Sequence, residues 1–214
     1  VAGGSTRDGG HQGVVRIQNI TSNSFQIRFQ EWDYRDGKHT TETIGYLVVE
    51  AGTHTLADGT QIVAGKVDLT NETFRTVTFG SSFSSAPLVI GQVQTVNDNA
   101  AVVERIRRIN GNNFQMQMQE EEAADGIHAT ESVGYVAIDL GTGTSGDVFM
   151  NAVVSGDTVT HRDTTINFGS IGGSSSPVIL SDMQKRDGRD TATVRHRAQT
   201  STSVTVFIEE EASS

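Results

Sequence analysis

Two short stretches carry the residue types that do chemistry, and they share one pattern. Asp36-Gly-Lys-His39-Thr-Thr-Glu42 and Asp125-Gly-Ile-His128-Ala-Thr-Glu131 each set an imidazole three residues ahead of a carboxylate, just past an Asp-Gly pair. Asp-Gly supplies the positive-φ residues of a tight turn, so both sets are expected at tips. On one strand, residues i and i+3 point to opposite faces, and such a pair chelates one ion only where a bulge intervenes. Three uses fit: a metal site with Asp36 or Asp125 as third ligand, hydroxyl contacts to a sugar, or a structural His–carboxylate hydrogen bond. The mixed imidazole and oxygen set does not decide between calcium and zinc. No other cofactor is expected.

Trp32 and Tyr34 flank the first tip only, where the second has Glu121 and Ala123. In strand parity both aromatics face away from Phe25 and Phe29, hence outward. An exposed aromatic pair beside Asp and His is what stacking on the apolar face of a sugar ring needs. The alternative is burial against a neighbouring repeat or subunit. The candidate carbohydrate-binding residues are therefore Trp32, Tyr34, Asp36, His39, Asp125 and His128.

Glu31, Glu120 and the acidic runs 120–122 and 209–211 invite a paired-carboxylate glycosidase reading. They recur at the polar end of the same strand in each copy, which fits a structural role better. No Gly-x-Ser-x-Gly elbow accompanies the many serines. The expectation is a chain that is not an enzyme.

The elements that position the tips are internal repeats. FQIRFQEWDYRDGKHTTETIGYLVVE at 25–50 returns as FQMQMQEEEAADGIHATESVGYVAID at 114–139, offset 89, with 11 of 26 positions identical. Phe25, Ile27 and Phe29 alternate with polar residues, as do Ile44, Tyr46 and Val48, so each unit reads as a two-stranded hairpin with an Asp-Gly tip. Val14–Ile20 matches Val103–Ile109. FGSSFSSAPLVIGQVQT at 79–95 matches FGSIGGSSSPVILSDMQK at 168–185, with one residue inserted before Pro177. Residues 1–13 read as a loop. The copies are placed at 1–74 (lacking its beginning), 75–163 (complete) and 164–214 (lacking its tip and return strand). Strands at this spacing with one wet face make an all-β fold, an antiparallel β-sandwich built from repeats of about 89 residues.

Composition narrows the function. The net charge is −10, from 16 basic against 26 acidic residues, which weighs against nucleic acid or an anionic membrane surface. With no cysteine, neither disulfides nor thiolate metal sites are available. No apolar run is long enough for a spanning helix. The first residues form no signal region, so either a signal has been removed or the piece comes from a longer chain.

Phe79-x3-Phe83-x3-Pro87-x-Val89, then Arg105-Ile, a strand headed by Phe114, and Val133-Gly-Tyr135-Val-Ala137 resemble the H-type lectin domain. That resemblance implies a six-stranded antiparallel sandwich that trimerises and binds N-acetylgalactosamine-type sugars near subunit boundaries. Tyr135 stands where that family has Trp, and the His-containing tip matches none of its sugar contacts. The repeat is also similar to attachment modules of large bacterial surface proteins and polysaccharide-degrading enzymes. The expected function is a secreted or cell-surface, non-catalytic module that binds a polysaccharide or glycan. The alternative is a structural repeat of a surface adhesin or extracellular fibre, assembled by strand complementation. Because exposed β edges seek partners, the first and third copies are expected to pair, within one chain or head to tail in self-association.

Overall fold

A computed structural model describes residues 1–213. Sixteen strands and no helix make up the described chain: β1 Ala2–Ser5, β2 Gly13–Gln18, β3 Gln26–Glu31, β4 Ile44–Tyr46, β5 Gly52–Thr55, β6 Gln61–Leu69, β7 Arg75–Thr78 and β8 Leu88–Val93 in the first half. The second half has β9 Val103–Arg107, β10 Asn113–Gln119, β11 Glu131–Ile138, β12 Gly141–Ser145, β13 Val148–Ala152, β14 Thr164–Asn167, β15 Ala192–Arg197 and β16 Ser203–Glu210. The fold is all-β, as the patterning requires.

The fullest sandwich is formed by the second copy together with β5 and β6, which precede residue 75. One sheet runs β7-β10-β9 and the other β5-β6-β11-β8, with every pairing antiparallel. Phe79, Phe83, Phe114, Met116, Val133 and Tyr135 fill the space between them. Phe114 lies 5.3 Å from Phe79, stacked, and 5.1 Å from Tyr135, edge-on. Such aromatic pairs add to plain area burial. The alternating apolar positions of the two facing strands thus meet across the core.

That geometry corrects the hairpin reading. β3 pairs with β2 rather than β4, and β10 pairs with β7 and β9 rather than β11. The two strands of each unit lie in opposite sheets and touch only by their dry faces. Period-2 alternation says which face is dry, but a hydrogen-bonded neighbour and a facing strand leave the same trace. The tips themselves are as expected, with Gly37 at φ 69° and Gly126 at φ 70°.

Pairing registers recur along the chain. Arg16 faces Arg28, Arg105 faces Gln117 and Arg195 faces Phe207, each across the strand that follows. The turn in between has a left-handed residue every time, at Asn19, Arg108 and Ala198. Residues 1–13 are not all loop. Ala2 pairs with Tyr46 in β1–β4 as Gly91 pairs with Tyr135 in β8–β11. Ala-Gly-Gly-Ser carries no strand signal because its side chains are almost absent. The smallness is required, since a Cβ on Gly4 would collide with the Val194 carbonyl of β15.

The ends meet within one chain. The Gly4 amide donates to the Ser181 carbonyl at 3.2 Å, Thr6 forms a bridge with His196, and a Cβ on Gly45 would stand 2.7 Å from the Ile179 oxygen. With the first copy also on the second and the second on the third, the contacts close a ring. The first copy's interior stays half open nonetheless. Alternation sets Tyr46 on the dry face with Phe25, and the pair keeps its edge contact at 5.1 Å, yet Tyr46 is 55% exposed. No described strand covers it as β6 and β7 cover the second copy.

Phe114→Ala is therefore expected to cost about 3–5 kcal/mol, the usual range for a buried Phe truncation. Phe25→Ala, at the same place in the half-open copy, should cost under half as much by urea denaturation.

Candidate functional site

The tip carboxylates are buried and bound, and each ties one copy to another. Glu42 accepts hydrogen bonds from the Thr6 hydroxyl at 2.7 Å and from the amides of Asp8 and Gly9 at 3.0 Å. The loop 6–9 is thereby wrapped round one carboxylate. From the third copy, the Arg195 guanidinium reaches the same group at 2.8 Å, and both side chains are 1% exposed. Arg195 also donates to the Thr6 carbonyl at 3.0 Å and pairs with Glu209 at 2.8 Å.

The second tip repeats the arrangement. Glu131 accepts from the Thr95 hydroxyl and from the amides of Asn97 and Asp98 at 2.9 and 3.2 Å. Arg16, from the first copy, approaches it at 3.3 Å, and donates to the carbonyls of Ala100 and Thr95 at 2.9 and 3.0 Å. A charge-assisted bond from a buried guanidinium, with the carboxylate's remaining lone pairs taken by amides, is the geometry in which a buried ion pair recovers its desolvation cost.

The histidines serve this latch. His39 stacks on Phe29 at 4.2 Å, with Glu31 at 3.0 Å from Nδ1 and Glu42 at 2.7 Å from Nε2. His128 is buried, with its ring nitrogens 2.9 and 3.4 Å from the carbonyls of Ala129 and Ala100 and Glu131 4.0 Å away. Of the three uses open to them, His39 has the geometry of the structural His–carboxylate hydrogen bond, whereas His128 bonds backbone carbonyls instead. Burial alone would push Glu42 up; the Gly9 and Asp8 amides, the Thr6 hydroxyl and His39 outweigh it and hold the carboxyl at about 2. Burial opposes Glu31 too, and hydrogen bonds from His39 and His11 bring it below its usual value.

Trp32 does not face outward. It is 1% exposed, packed with Val14, with Ala101 and Val103 of the second copy, and with Tyr34. The strand parity that sent it outward ends at Glu31, where β3 stops. A ring so enclosed has no free face for a sugar. Tyr34 is half buried, with Arg35 stacked on its ring at 4.6 Å and the Ala212 amide donating to its hydroxyl. Asp36 and Asp125 stay exposed at the tips, each capping its own turn through the amide two residues on.

The acidic runs join the copies as well. Glu121 accepts from the Tyr34 amide of the first copy, Glu122 from Thr191 of the third, and Glu211 from the Glu122 amide. Sequence reasoning missed the three arginines as a set. Their signal was present: Arg16, Arg105 and Arg195 are the one basic residue common to that strand in all copies.

Where the copies converge lies a cavity of about 50 Å³, lined by Gly3, Gln92, Glu104, Asp182 and Val194 among others. Burial pushes Glu104 up to about 7, and burial together with the neighbouring Glu104 raises Asp182 well above its usual value. His11, Glu31 and Asp36 also bring three metal-type ligand atoms within 4.8 Å of one another. His11 and Glu31 are already hydrogen-bonded at 2.9 Å.

The fold and these junctions define an antiparallel β-sandwich chain whose segments are joined by buried ion pairs. The chain is 36% identical, over 97% of its length, to a segment of halomucin from Haloquadratum walsbyi. It spans 2% of that protein's length. No protein-family model matches the chain, and no solved structure does.

Stability should follow these carboxyls. Glu42 has its folded value below the unfolded 4.5, so its contribution is complete above pH 4.5 and is lost as pH falls toward 2. Glu104 is raised, so its contribution is complete below pH 4.5 and is lost as pH rises through 7. Thermal melts should show Glu42→Gln flattening the acid limb and Glu104→Gln flattening the decline from pH 5 to 8.

Proposed function

We propose that the chain is a non-catalytic structural module of an extracellular or cell-surface protein, a ring of three repeats that serves as one rigid link in a longer array. The observation that carries this reading is the latch: the same Arg, Thr hydroxyl, paired amides and Glu recur at two junctions between copies. Trp32, His39 and His128, which would have to face a ligand, are instead turned inward at or beside these junctions. The likeness to a segment of halomucin, covering nearly all of the chain, supports placement within a long surface protein. The reading takes no cofactor, and neither nucleic acid nor membrane suits the acidic surface. Among the described residues no helix is long and apolar enough to cross a membrane.

Carbohydrate binding is the second reading, and the tips favour it. Asp36 and Asp125 are exposed, and Ile127 beside Asp125 is 70% exposed, an acidic and apolar pair of the kind that meets a sugar's hydroxyl rim and C–H face. It would be a shallow contact without an aromatic platform.

The two readings part on a glycan array with the purified chain. The structural reading expects no retention above background, a monodisperse monomer by light scattering, and a melting temperature indifferent to EDTA and to calcium. Saturable retention that is lost in Asp125→Ala and Asp36→Ala would overturn it in favour of the lectin-like one.

A further inference from the structure

Beside the first latch stands a set of groups that the latch does not use up. His11, Glu31 and Asp36 each bring one ligand-type atom within 4.8 Å of the other two. Backbone pairing fixes all three. Gly13 pairs with Glu31 in the β2–β3 ladder, and the Trp32 amide donates to the Gln12 carbonyl, which sets His11 against the end of β3. The Arg35 amide then donates to the Trp32 carbonyl at 2.9 Å, a turn that returns Asp36 to His11. His11 Nδ1 stands 2.9 Å from Glu31 Oε1 and 3.7 Å from Asp36 Oδ1.

Hydrogen bonding within the chain leaves this set incomplete. Glu31 is 5% exposed, and among the described residues its buried Oε2 has no partner. Leaving a buried carboxylate oxygen without a donor is costly. Its Oε1 meets imidazole nitrogen on two sides, His11 Nδ1 at 2.9 Å and His39 Nδ1 at 3.0 Å. His39 is held from behind, with its Nε2 2.7 Å from Glu42. The side chains of His11 and Asp36 are 43% and 62% exposed, so a small ion can reach the buried carboxylate from solvent.

The second tip supplies the comparison. At the offset of 89, Glu120 and Asp125 match Glu31 and Asp36, and Ala100 stands in the place of His11. Glu120 Oε2 is also buried without a partner. Among the described residues the three-donor set is complete at the first tip alone.

We infer that His11, Glu31 and Asp36 bind a divalent cation of the zinc type. One imidazole and two carboxylates form a set that zinc takes with water in the remaining position. Calcium favours about six to eight oxygen ligands, more than this rim offers. His39, bonded to Glu31 on one side and Glu42 on the other, orients the ligating carboxylate from behind. The ion pins the start of β2 to the tip and leaves the latch as it is. The metal-free chain folds through its latches, so EDTA and calcium leave its melting temperature alone, and zinc adds stability by binding the folded state.

The test is isothermal titration of zinc chloride into the whole chain, stripped with EDTA and dialysed, at neutral pH and without glycan. One ion per chain is expected, and no heat of binding from calcium chloride. His11→Ala and Asp36→Asn should each weaken binding about tenfold or more. Asp125→Asn, at the same place in the second tip, should leave it unchanged. Zinc should raise the melting temperature of the wild-type chain and not that of His11→Ala. If Glu31→Gln fails to fold for want of a partner to His39, the two exposed ligands decide alone. Absence of saturable binding, or affinity indifferent to either His11→Ala or Asp36→Asn, as uptake by exposed imidazoles elsewhere would give, would overturn the inference, whatever the glycan array shows.

Discussion

A guanidinium buried with a carboxylate between repeats is the constraint on which the rest of this structure depends. Taking either charge out of water alone would cost several kcal/mol. The chain offsets that cost by surrounding Glu42 and Glu131 with amides and a hydroxyl, and by giving Arg195 and Arg16 carbonyls for their remaining donors. Every participant must then sit within hydrogen-bond reach. The loops 6–9 and 95–98 are fixed in shape, the tips must fold back to meet them, and adjacent copies are held in one register. A simply apolar junction would be as sticky and far less particular.

The same requirement accounts for features that look unrelated. Ala-Gly-Gly-Ser in β1 is small because β15 and residues 180–181 press on it where the ring closes. Trp32 is buried because the first copy turns its edge toward Ala101 and Val103 of the second. The acids around the central cavity sit there because equivalent strands of three copies converge, and no apolar side chain replaced Glu104 or Asp182. These two acids are raised by their burial, a local cost set against the gain at the latches.

Much of the fold was legible in the sequence because repetition and alternation are direct consequences of packing. The all-β class, the Asp-Gly tips and the meeting of the ends all follow from residues that keep their type from copy to copy. Strand partnership was not legible. Phe25 and Tyr46 do touch, yet across a core and not along a ladder, and alternation carries no record of which. β1 was invisible because glycine has no side chain to alternate.

The candidate site was half legible. His39, Glu42, His128 and Glu131 were found by their spacing, but the spacing could not show that the carboxylates face inward to an arginine some 115 or 153 residues away in sequence. Trp32 was misplaced because parity was carried past the end of β3. The most direct measurement of the account is a double-mutant cycle on Arg195 and Glu42, with Arg195→Met, Glu42→Gln and the pair compared by urea denaturation at neutral pH. A latch predicts that each single change costs about 3–5 kcal/mol and that the double costs at least 2 kcal/mol less than their sum, roughly the coupling expected of a buried charged pair. Additive losses, with coupling below about 0.5 kcal/mol, would contradict it and leave the ring to be held by apolar contact alone.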